Sequence, residues 1–168
     1  MSSALLLNIA RFILLLMMQI VIFNQMDFLG YINPYPYILF ILLYPVNGNK
    51  YGLLFASFLL GIIMDMFSNS GGVHATAAIA LAALRPTFFK FSFGVSYEYQ
   101  TIKINDKITP ERFSFVAISV VSHHFILFLL EAFRLSFFLE VLLRTLFSTI
   151  FTILLCFLLI YLFKPSRR

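Results

Sequence analysis

The sequence predicts an all-α integral membrane protein, a compact bundle of about six transmembrane helices that forms one domain over residues 1–168. Three observations predict it: an apolar composition, six long apolar runs, and basic residues placed between those runs. Apolar residues make up 61% of the chain and charged residues 11%, whereas a soluble domain is about half apolar and a quarter charged. The mean hydropathy is +0.96. A chain of this composition cannot cover an apolar core with polar surface in water, so lipid is its expected solvent.

Each of the six apolar runs is close to the length that a spanning helix needs, about 20 residues. The runs cover residues 5–23, 31–46, 51–67, 73–91, 113–130 and 137–163. The second run opens with Asn33-Pro34-Tyr35-Pro36, and proline suits the first turn of a helix because its missing N–H would have no partner there. In the fourth run Arg85 comes twelve residues after Val73, and Pro86 follows. This run predicts either a kinked helix whose Arg85 reaches the interface or a re-entrant segment.

The basic residues predict how the chain is oriented. If all six runs cross the membrane and the N-terminus is cytoplasmic, nine basic residues fall on the cytoplasmic side. They are Lys50, Arg85, Lys90, Lys103, Lys107, Arg112, Lys164, Arg167 and Arg168. The outer loops keep only Arg134, as the positive-inside rule requires. We therefore predict a multi-pass protein with both termini in the cytoplasm. Its cytoplasmic loop at about 94–111 is either a short hairpin or a plain connector.

The residues give no sign of an enzyme. The sequence contains no Gly-x-Ser-x-Gly, no His-Glu-x-x-His and no phosphate-binding glycine loop, which are motifs that hold a nucleophile, a metal ion or a nucleotide. Cys156 is the only cysteine, which excludes a disulfide within the chain. We expect no catalytic activity, no cofactor and no metal site. Nucleic acid is not an expected partner either, because orientation in a bilayer explains the basic residues.

Ser57, Gly61 and Asp65 form a small-residue stripe on the third run, at positions i, i+4 and i+8. Small residues let a second helix approach closely in lipid. A charged residue inside an apolar helix is costly, so Asp65 is expected in one of two places. It faces a packed site, or it lies among the headgroups or caps the helix that starts at Val73. The sequence leaves both interpretations open.

The fourth run is rich in alanine, which predicts a face for close helix packing. Ala75, Ala78 and Ala82 lie on this run. His74 precedes them and is expected to bond to the turn before it, with a partner protein as the alternative. On the fifth run, His123-His124 are adjacent and cannot both point at one metal ion from a regular helix. Hydrogen bonds between helices are therefore expected for them.

Arg144 lies well inside the sixth run and should have an acidic neighbour, because an unpaired arginine there would be costly. Glu140 is the nearest acid in sequence and is placed at i, i+4, a favourable spacing for an ion pair. Asp65 is the alternative partner. In the six-helix topology Asp65, Glu131, Glu140 and Arg144 all fall in the outer half of the membrane, so the sequence predicts a polar cluster there.

Asn8 and Gln19 lie on nearly the same face of the first run and form a polar seam. Polar side chains hydrogen-bond between helices in lipid, so this seam is expected to face another helix of the same protein or of a partner. Five residues are thus candidates for partner binding or for buried polar contacts: Asn8, Gln19, Asp65, His74 and Arg144.

Two stretches in the N-terminal half carry recognisable motifs. The first contains Gly30-Tyr31-Ile32-Asn33-Pro34-Tyr35-Pro36-Tyr37 and Tyr44-Pro45. The second contains Gly61-Ile62-Ile63-Met64-Asp65-Met66-Phe67-Ser68-Asn69 and continues through Gly72-Val73-His74-Ala75 to Arg85-Pro86. These stretches resemble the rod shape-determining protein MreD family. The resemblance covers about residues 10–90, and beyond them it extends only to chain length and the six-helix hydropathy pattern.

Membership of that family would imply a non-enzymatic component of the bacterial inner membrane that supports cell elongation, cell shape and peptidoglycan synthesis. Members of the family act with the bitopic protein MreC, and indirectly with the actin-like MreB, the glycosyltransferase RodA and a class B penicillin-binding protein. The resemblance also implies a fold similar to the substrate-binding subunits of vitamin transporters. A transporter subunit that binds a small molecule near Asp65 and Arg144 is therefore the alternative function.

Overall fold

The computed structural model describes residues 3–26, 32–94, 109–133 and 135–162, which form six α-helices and no β-strand. The helices are α1 Ser3–Val21, α2 Leu39–Leu43, α3 Lys50–Ser68, α4 Val73–Phe93, α5 Pro110–Ala132 and α6 Phe138–Leu162. Short 3-10 turns lie at Phe23–Gln25, Pro36–Ile38 and Leu135–Phe137. The predicted all-α fold is confirmed. Nearly all of the predicted cytoplasmic loop at 94–111, including its possible hairpin, lies outside the described residues.

Four stretches of the described chain are long and apolar enough to cross a membrane. They are Leu5–Gln25, Lys50–Ser68, Pro110–Ala132 and Phe138–Leu162, and they correspond to the first, third, fifth and sixth predicted runs. Such helices are compatible with a multi-pass membrane protein. α4 has 21 residues and is therefore about 30 Å long, but Arg85 and Lys90 interrupt its apolar sequence. The number of crossings and the side on which the termini lie stay predictions.

The second apolar run does not form the long helix that the sequence predicts. Residues 32–35 are irregular, Pro36–Ile38 make a 3-10 turn, and α2 has only five residues. The three prolines of this run explain the difference, because proline lacks a backbone N–H and disfavours helix in the residue before it. The side chains from Tyr37 to Leu42 are at most 4% exposed. Residues 32–43, here called the central segment, thus run through the protein interior, where irregular backbone is tolerated at membrane depth.

The central segment lies on the part of the chain that returns from one end of the bundle to the other. At one end α1 and α3 finish together, where the Ser68 hydroxyl donates to the side-chain oxygen of Asn24 over 3.2 Å. At the opposite end, Asn8 of α1 and Gly52 of α3 line the same groove. α1 and α3 are therefore parallel, so the chain between them crosses the bundle. Irregular and 3-10 backbone rises about 2–3.3 Å per residue, against about 1.5 Å in an α-helix, which lets a short segment cover the distance.

The longer helices pack in chain order around the central segment. α3 packs on α4, α4 on α5, and α5 on α6. Phe89 of α4 and Phe115 of α5 stack with their ring centroids 4.1 Å apart. α1 contacts α3 and the central segment, which also contacts α4 and α6. Much of the apolar surface of α1 stays outside the bundle, and Ile13 is 54% exposed.

The close approach of α3 to α4 depends on Gly61. A Cβ atom at this position would lie 2.3 Å from the Cα of Ala75 and 2.7 Å from the carbonyl oxygen of His74, well inside van der Waals contact. Ser57 is fully buried on the same stripe, and its hydroxyl donates to the Leu53 carbonyl oxygen over 2.8 Å. The small-residue stripe thus brings α4 against α3 within this chain.

α4 is one continuous helix that passes through Pro86. Its predicted packing residues are buried, namely Ala75, Ala78 and Ala82. Arg85 is only 5% exposed, and its guanidinium donates to the carbonyl oxygens of Leu42 and Tyr44. Arg85 therefore binds inside the protein, and its depth in the membrane stays a prediction. The side chain turns inward because the C-terminus of α2 presents carbonyl groups that have no partner within that helix.

Candidate functional site

The candidate site is the set of polar side chains that bind the central segment. Irregular backbone leaves N–H and C=O groups without helical partners, and the bilayer interior offers no water to replace them. Gln19 of α1 is fully buried and supplies two such partners. Its amide nitrogen donates to the Pro34 carbonyl oxygen over 3.2 Å, and its oxygen accepts from the Tyr37 N–H over 3.4 Å. One side chain of α1 thus fixes both sides of the turn that begins the 3-10 helix.

Two hydroxyl groups of α6 bind the same segment. Ser148 accepts from the Asn33 N–H over 3.3 Å, and Thr152 accepts from the Tyr35 N–H over 3.0 Å. The Thr152 oxygen also lies 3.0 Å from Nε2 of His124 in α5, whose Nδ1 is 2.8 Å from a backbone carbonyl oxygen. Because a carbonyl only accepts, Nδ1 carries the proton and Nε2 accepts from the Thr152 hydroxyl. Thr152 therefore joins α5, α6 and the central segment.

The Tyr37 hydroxyl connects the central segment to two further histidines. Its oxygen lies 3.1 Å from Nδ1 of His74 in α4 and 2.8 Å from Nε2 of His123 in α5. All three side chains are at most 4% exposed. A hydroxyl has one hydrogen, so it donates to one of these nitrogens and accepts from an N–H at the other. The expected hydrogen bonds between helices are thus present for both His123 and His124.

Asp65 caps the first turn of α4. One carboxylate oxygen accepts from the His74 N–H over 2.9 Å and from the Ser70 hydroxyl over 2.6 Å, and the other accepts from the Ala75 N–H over 3.0 Å. A carboxylate at a helix N-terminus satisfies free N–H groups and is favoured by the helix dipole. Of the two interpretations of Asp65, the structure supports the cap. The prediction that His74 bonds to the turn is wrong, because its N–H donates to Asp65 of α3 and its side chain bonds to Tyr37.

Arg144 pairs with Glu131, not with either of the acids expected from the sequence. The distance from its Nη2 to Oε1 of Glu131 is 3.4 Å, and its guanidinium carbon lies 4.6 Å from the centre of the Phe128 ring. Asp65 caps α4 and is not the partner of Arg144, and neither is Glu140. The short turn between α5 and α6 explains this result, because it brings the last turn of α5 beside the first turns of α6.

The two residues of the polar seam make different contacts. Gln19 binds the central segment, whereas Asn8 is half-buried in a groove of about 310 Å³ between α1 and α3. The groove is mostly apolar, and its aromatic lining residues are Phe12, Phe40, Tyr44 and Phe55. The seam is therefore not one continuous binding surface, and only Asn8 remains partly open to the outside.

Four members of the network around the central segment were not predicted from the sequence: Tyr35, Tyr37, Ser148 and Thr152. A signal for Tyr37 was present, because a buried tyrosine hydroxyl needs a hydrogen-bond partner and the neighbouring prolines mark backbone that cannot be helical. Thr152 gave no such signal, since threonine is common at helix contacts in membranes. In the ranges that the structure describes, no three His, Cys, Asp or Glu side chains are grouped so that they could hold a metal ion.

No protein-family model, no curated protein and no solved structure matches this chain. The network has to be interpreted from its own geometry. The side chains that form it are at most 4% exposed. Apart from the bond of His124 to a carbonyl oxygen of its own helix, its hydrogen bonds join the central segment to a helix or one helix to another. These hydrogen bonds hold α1, α4, α5 and α6 in fixed relative positions, because separating those helices would break them.

Proposed function

We propose that this protein is a non-enzymatic scaffold of the bacterial cell-elongation machinery in the inner membrane. It binds MreC and thereby supports the assembly that contains MreB, RodA and a class B penicillin-binding protein. The observation that carries the proposal is the position of the MreD-like motifs in the fold. The Asn33-Pro34-Tyr35-Pro36 motif lies in the buried central segment, and the motif from Gly61 to Ala75 forms the close contact of α3 with α4. The motifs therefore maintain the shape of the bundle, which is what a scaffold has to do.

The α1 side of the bundle is the surface best suited to a partner helix. Gln19 and Asp65 make their hydrogen bonds inside the bundle. Asn8 is therefore the polar residue of the N-terminal half that a second protein can reach. Helices associate in lipid through close packing and polar contacts. The groove between α1 and α3 offers both, with aromatic walls and the Asn8 amide. A single membrane-spanning helix of MreC is the occupant we propose.

Depletion in a rod-shaped host tests the function. We expect round, wide cells, while vitamin uptake and lipid synthesis stay normal, because the proposed role is confined to wall elongation. A tagged copy should also retain MreC after extraction in mild detergent. If cell shape is unchanged, MreC is lost, and a small ligand raises the melting temperature of the purified protein, the transporter-subunit function replaces the scaffold.

A variant in the groove between α1 and α3 tests whether MreC binds there. Ala56 lines the groove, so Ala56→Phe fills it without touching the network around the central segment. We expect retention of MreC to fall at least severalfold while the protein accumulates normally. Leu154→Phe is the matched control, because Leu154 is 63% exposed on α6. Equal retention of MreC by both variants would place the partner on another surface.

A further inference from the structure

A small open pocket lies where α5 ends and α6 begins. Its volume is about 220 Å³, which is below the roughly 300–1,000 Å³ of sites for drug-sized ligands. Three charged side chains line it, namely Glu131, Glu140 and Arg144, together with apolar ones that include Phe128. A pocket of this size and polarity suits a small charged group better than a whole amphiphilic molecule.

Within the described chain, most N–H donors of Arg144 have no hydrogen-bond acceptor. Its hydrogen bond to Glu131 is the one it makes within the described chain, and at 3.4 Å it is longer than the usual range of about 2.7–3.2 Å. A guanidinium carries several N–H donors in a planar fork that matches phosphate oxygens. The Phe128 ring holds this fork in position, and the side chain is 19% exposed. Arg144 is thus placed to bind an anion from the open side of the pocket.

The Glu131 and Glu140 carboxylates need more positive charge than the Arg144 guanidinium supplies. The Glu131 side chain is 43% exposed, and Glu140 is exposed on the facing turn of α6. Among the described lining residues, one guanidinium faces two carboxylates, so one negative charge is left without a cation. Like charges that share one pocket repel each other. An ammonium group beside Glu140 would remove that repulsion.

The pocket is also at the right depth for a lipid headgroup. α5 and α6 have 23 and 25 residues, so they are about 35 and 38 Å long, more than the roughly 30 Å thickness of the hydrocarbon core. The ends of these helices therefore reach the headgroup level. The outer surface of α6 next to the pocket is apolar, with Leu139 71% and Leu146 56% exposed. Acyl chains could lie along this surface while the headgroup enters the pocket.

We propose that the pocket binds the headgroup of a zwitterionic phospholipid with a primary ammonium group, of the phosphatidylethanolamine class. The phosphate binds Arg144, and the ammonium binds Glu140 and Glu131. The proposal does not depend on the scaffold function, because it concerns lipid at the opposite end of the bundle from the α1–α3 groove.

Native mass spectrometry of the full chain in mild detergent tests the proposal. Phosphatidylethanolamine and phosphatidylglycerol are added in equal amounts, since both carry the phosphate and only the first carries the ammonium. We expect the protein to retain phosphatidylethanolamine preferentially. We expect Glu140→Gln to lower this preference about tenfold, because the substitution removes one charge-assisted hydrogen bond. Glu111→Gln, which neutralises an exposed acid in the first turn of α5, should leave it unchanged.

A second variant and two free probes separate the possible sources of binding. Arg144→Gln should reduce the retention of both lipids, because both bind through phosphate. Glu140→Gln should melt like the unchanged protein, which shows that the loss is in binding and not in folding. Inorganic phosphate and ethanolamine, added separately, should each stabilise the protein less than the lipid does. Equal retention of the two lipids, an unaltered preference in Glu140→Gln, or full stabilisation by phosphate alone would overturn the proposal.

Discussion

At the scale of single residues, the molecule depends on side chains that replace missing helical hydrogen bonds. Gln19, Ser148 and Thr152 bind backbone groups of the central segment, and the Tyr37 hydroxyl lies between two histidines. The sequence indicated that Gln19 and the histidine pair would make contacts between helices, but not with which partners. The partners of Gln19 and His123 lie on a segment whose irregular path depends on the whole bundle, and the partner of His124 lies on α6, so no local pattern could reveal them.

Tyr37→Phe tests the central hydrogen bonds. The change keeps the ring in place and leaves His74 and His123 without their shared partner, which predicts a loss of about 1–3 kcal/mol because unsatisfied buried polar groups are costly. Cys156 is fully buried and is the only cysteine, so a thiol-reactive fluorescent dye reports unfolding as the protein is heated. Tyr51→Phe is the control, since Tyr51 is 81% exposed. Equal melting temperatures for the two variants would show that the hydroxyl contributes nothing.

Thr152→Val tests the second junction by the same dye assay. Valine has nearly the same shape, but it neither donates to His124 nor accepts from the Tyr35 N–H. We expect a fall in melting temperature like that of Tyr37→Phe, because a buried N–H and a ring nitrogen lose their partner. Thr76→Val is the control, because Thr76 is exposed and bonds only within its own helix end. A drop of the same size in both variants would point to helix propensity rather than to the junction.

At the scale of elements, hydropathy predicted the helices well where a run had no proline. The first, third, fifth and sixth runs became long helices close to their predicted limits. The second run is also apolar, yet only α2 and one 3-10 turn form within it. Hydropathy reports burial in an apolar medium, whereas helix formation also needs backbone N–H groups that proline lacks. Apolar runs that contain several prolines should therefore be predicted as buried irregular segments.

Gly61→Ala tests the contact between α3 and α4. The added methyl group would overlap the backbone of Ala75, and backbone cannot move aside as a side chain can. We expect the two helices to separate and the melting temperature to fall, with a loss of about 1–3 kcal/mol that is typical of overpacking. Gly52→Ala is the control in the same helix, because its Cβ would lie 3.3 Å from the Tyr44 hydroxyl oxygen, at the end of a flexible side chain. A stable Gly61→Ala protein would contradict the close packing of α3 on α4.

At the scale of the whole molecule, the direction of the helices restricts how the chain can sit in a membrane. α1 and α3 are parallel, because their ends meet at Ser68 and Asn24 and their beginnings share a groove. The chain between them therefore crosses the bundle although it holds only a five-residue helix. α4 and α5 each pack on the helix before them. This geometry agrees with six crossings, which the distribution of basic residues predicts independently.

Reporter fusions test this topology. A reporter that is active only in the cytoplasm should be active after Arg168 or within residues 103–107, and silent near Arg134 or within residues 24–30.

The decisive insertion is at Gly48, directly before α3. If the central segment crosses the membrane, this site is cytoplasmic and the reporter is active, as Lys50 beside it requires under the positive-inside rule. If the segment is instead re-entrant, a reporter at Gly48 is silent, like one at 24–30. In that case α3 runs in the opposite direction, so α1 and α3 cannot be parallel. Activity at both Arg168 and Arg134 would rule out the six-crossing arrangement by a separate route, because α6 alone lies between those two positions.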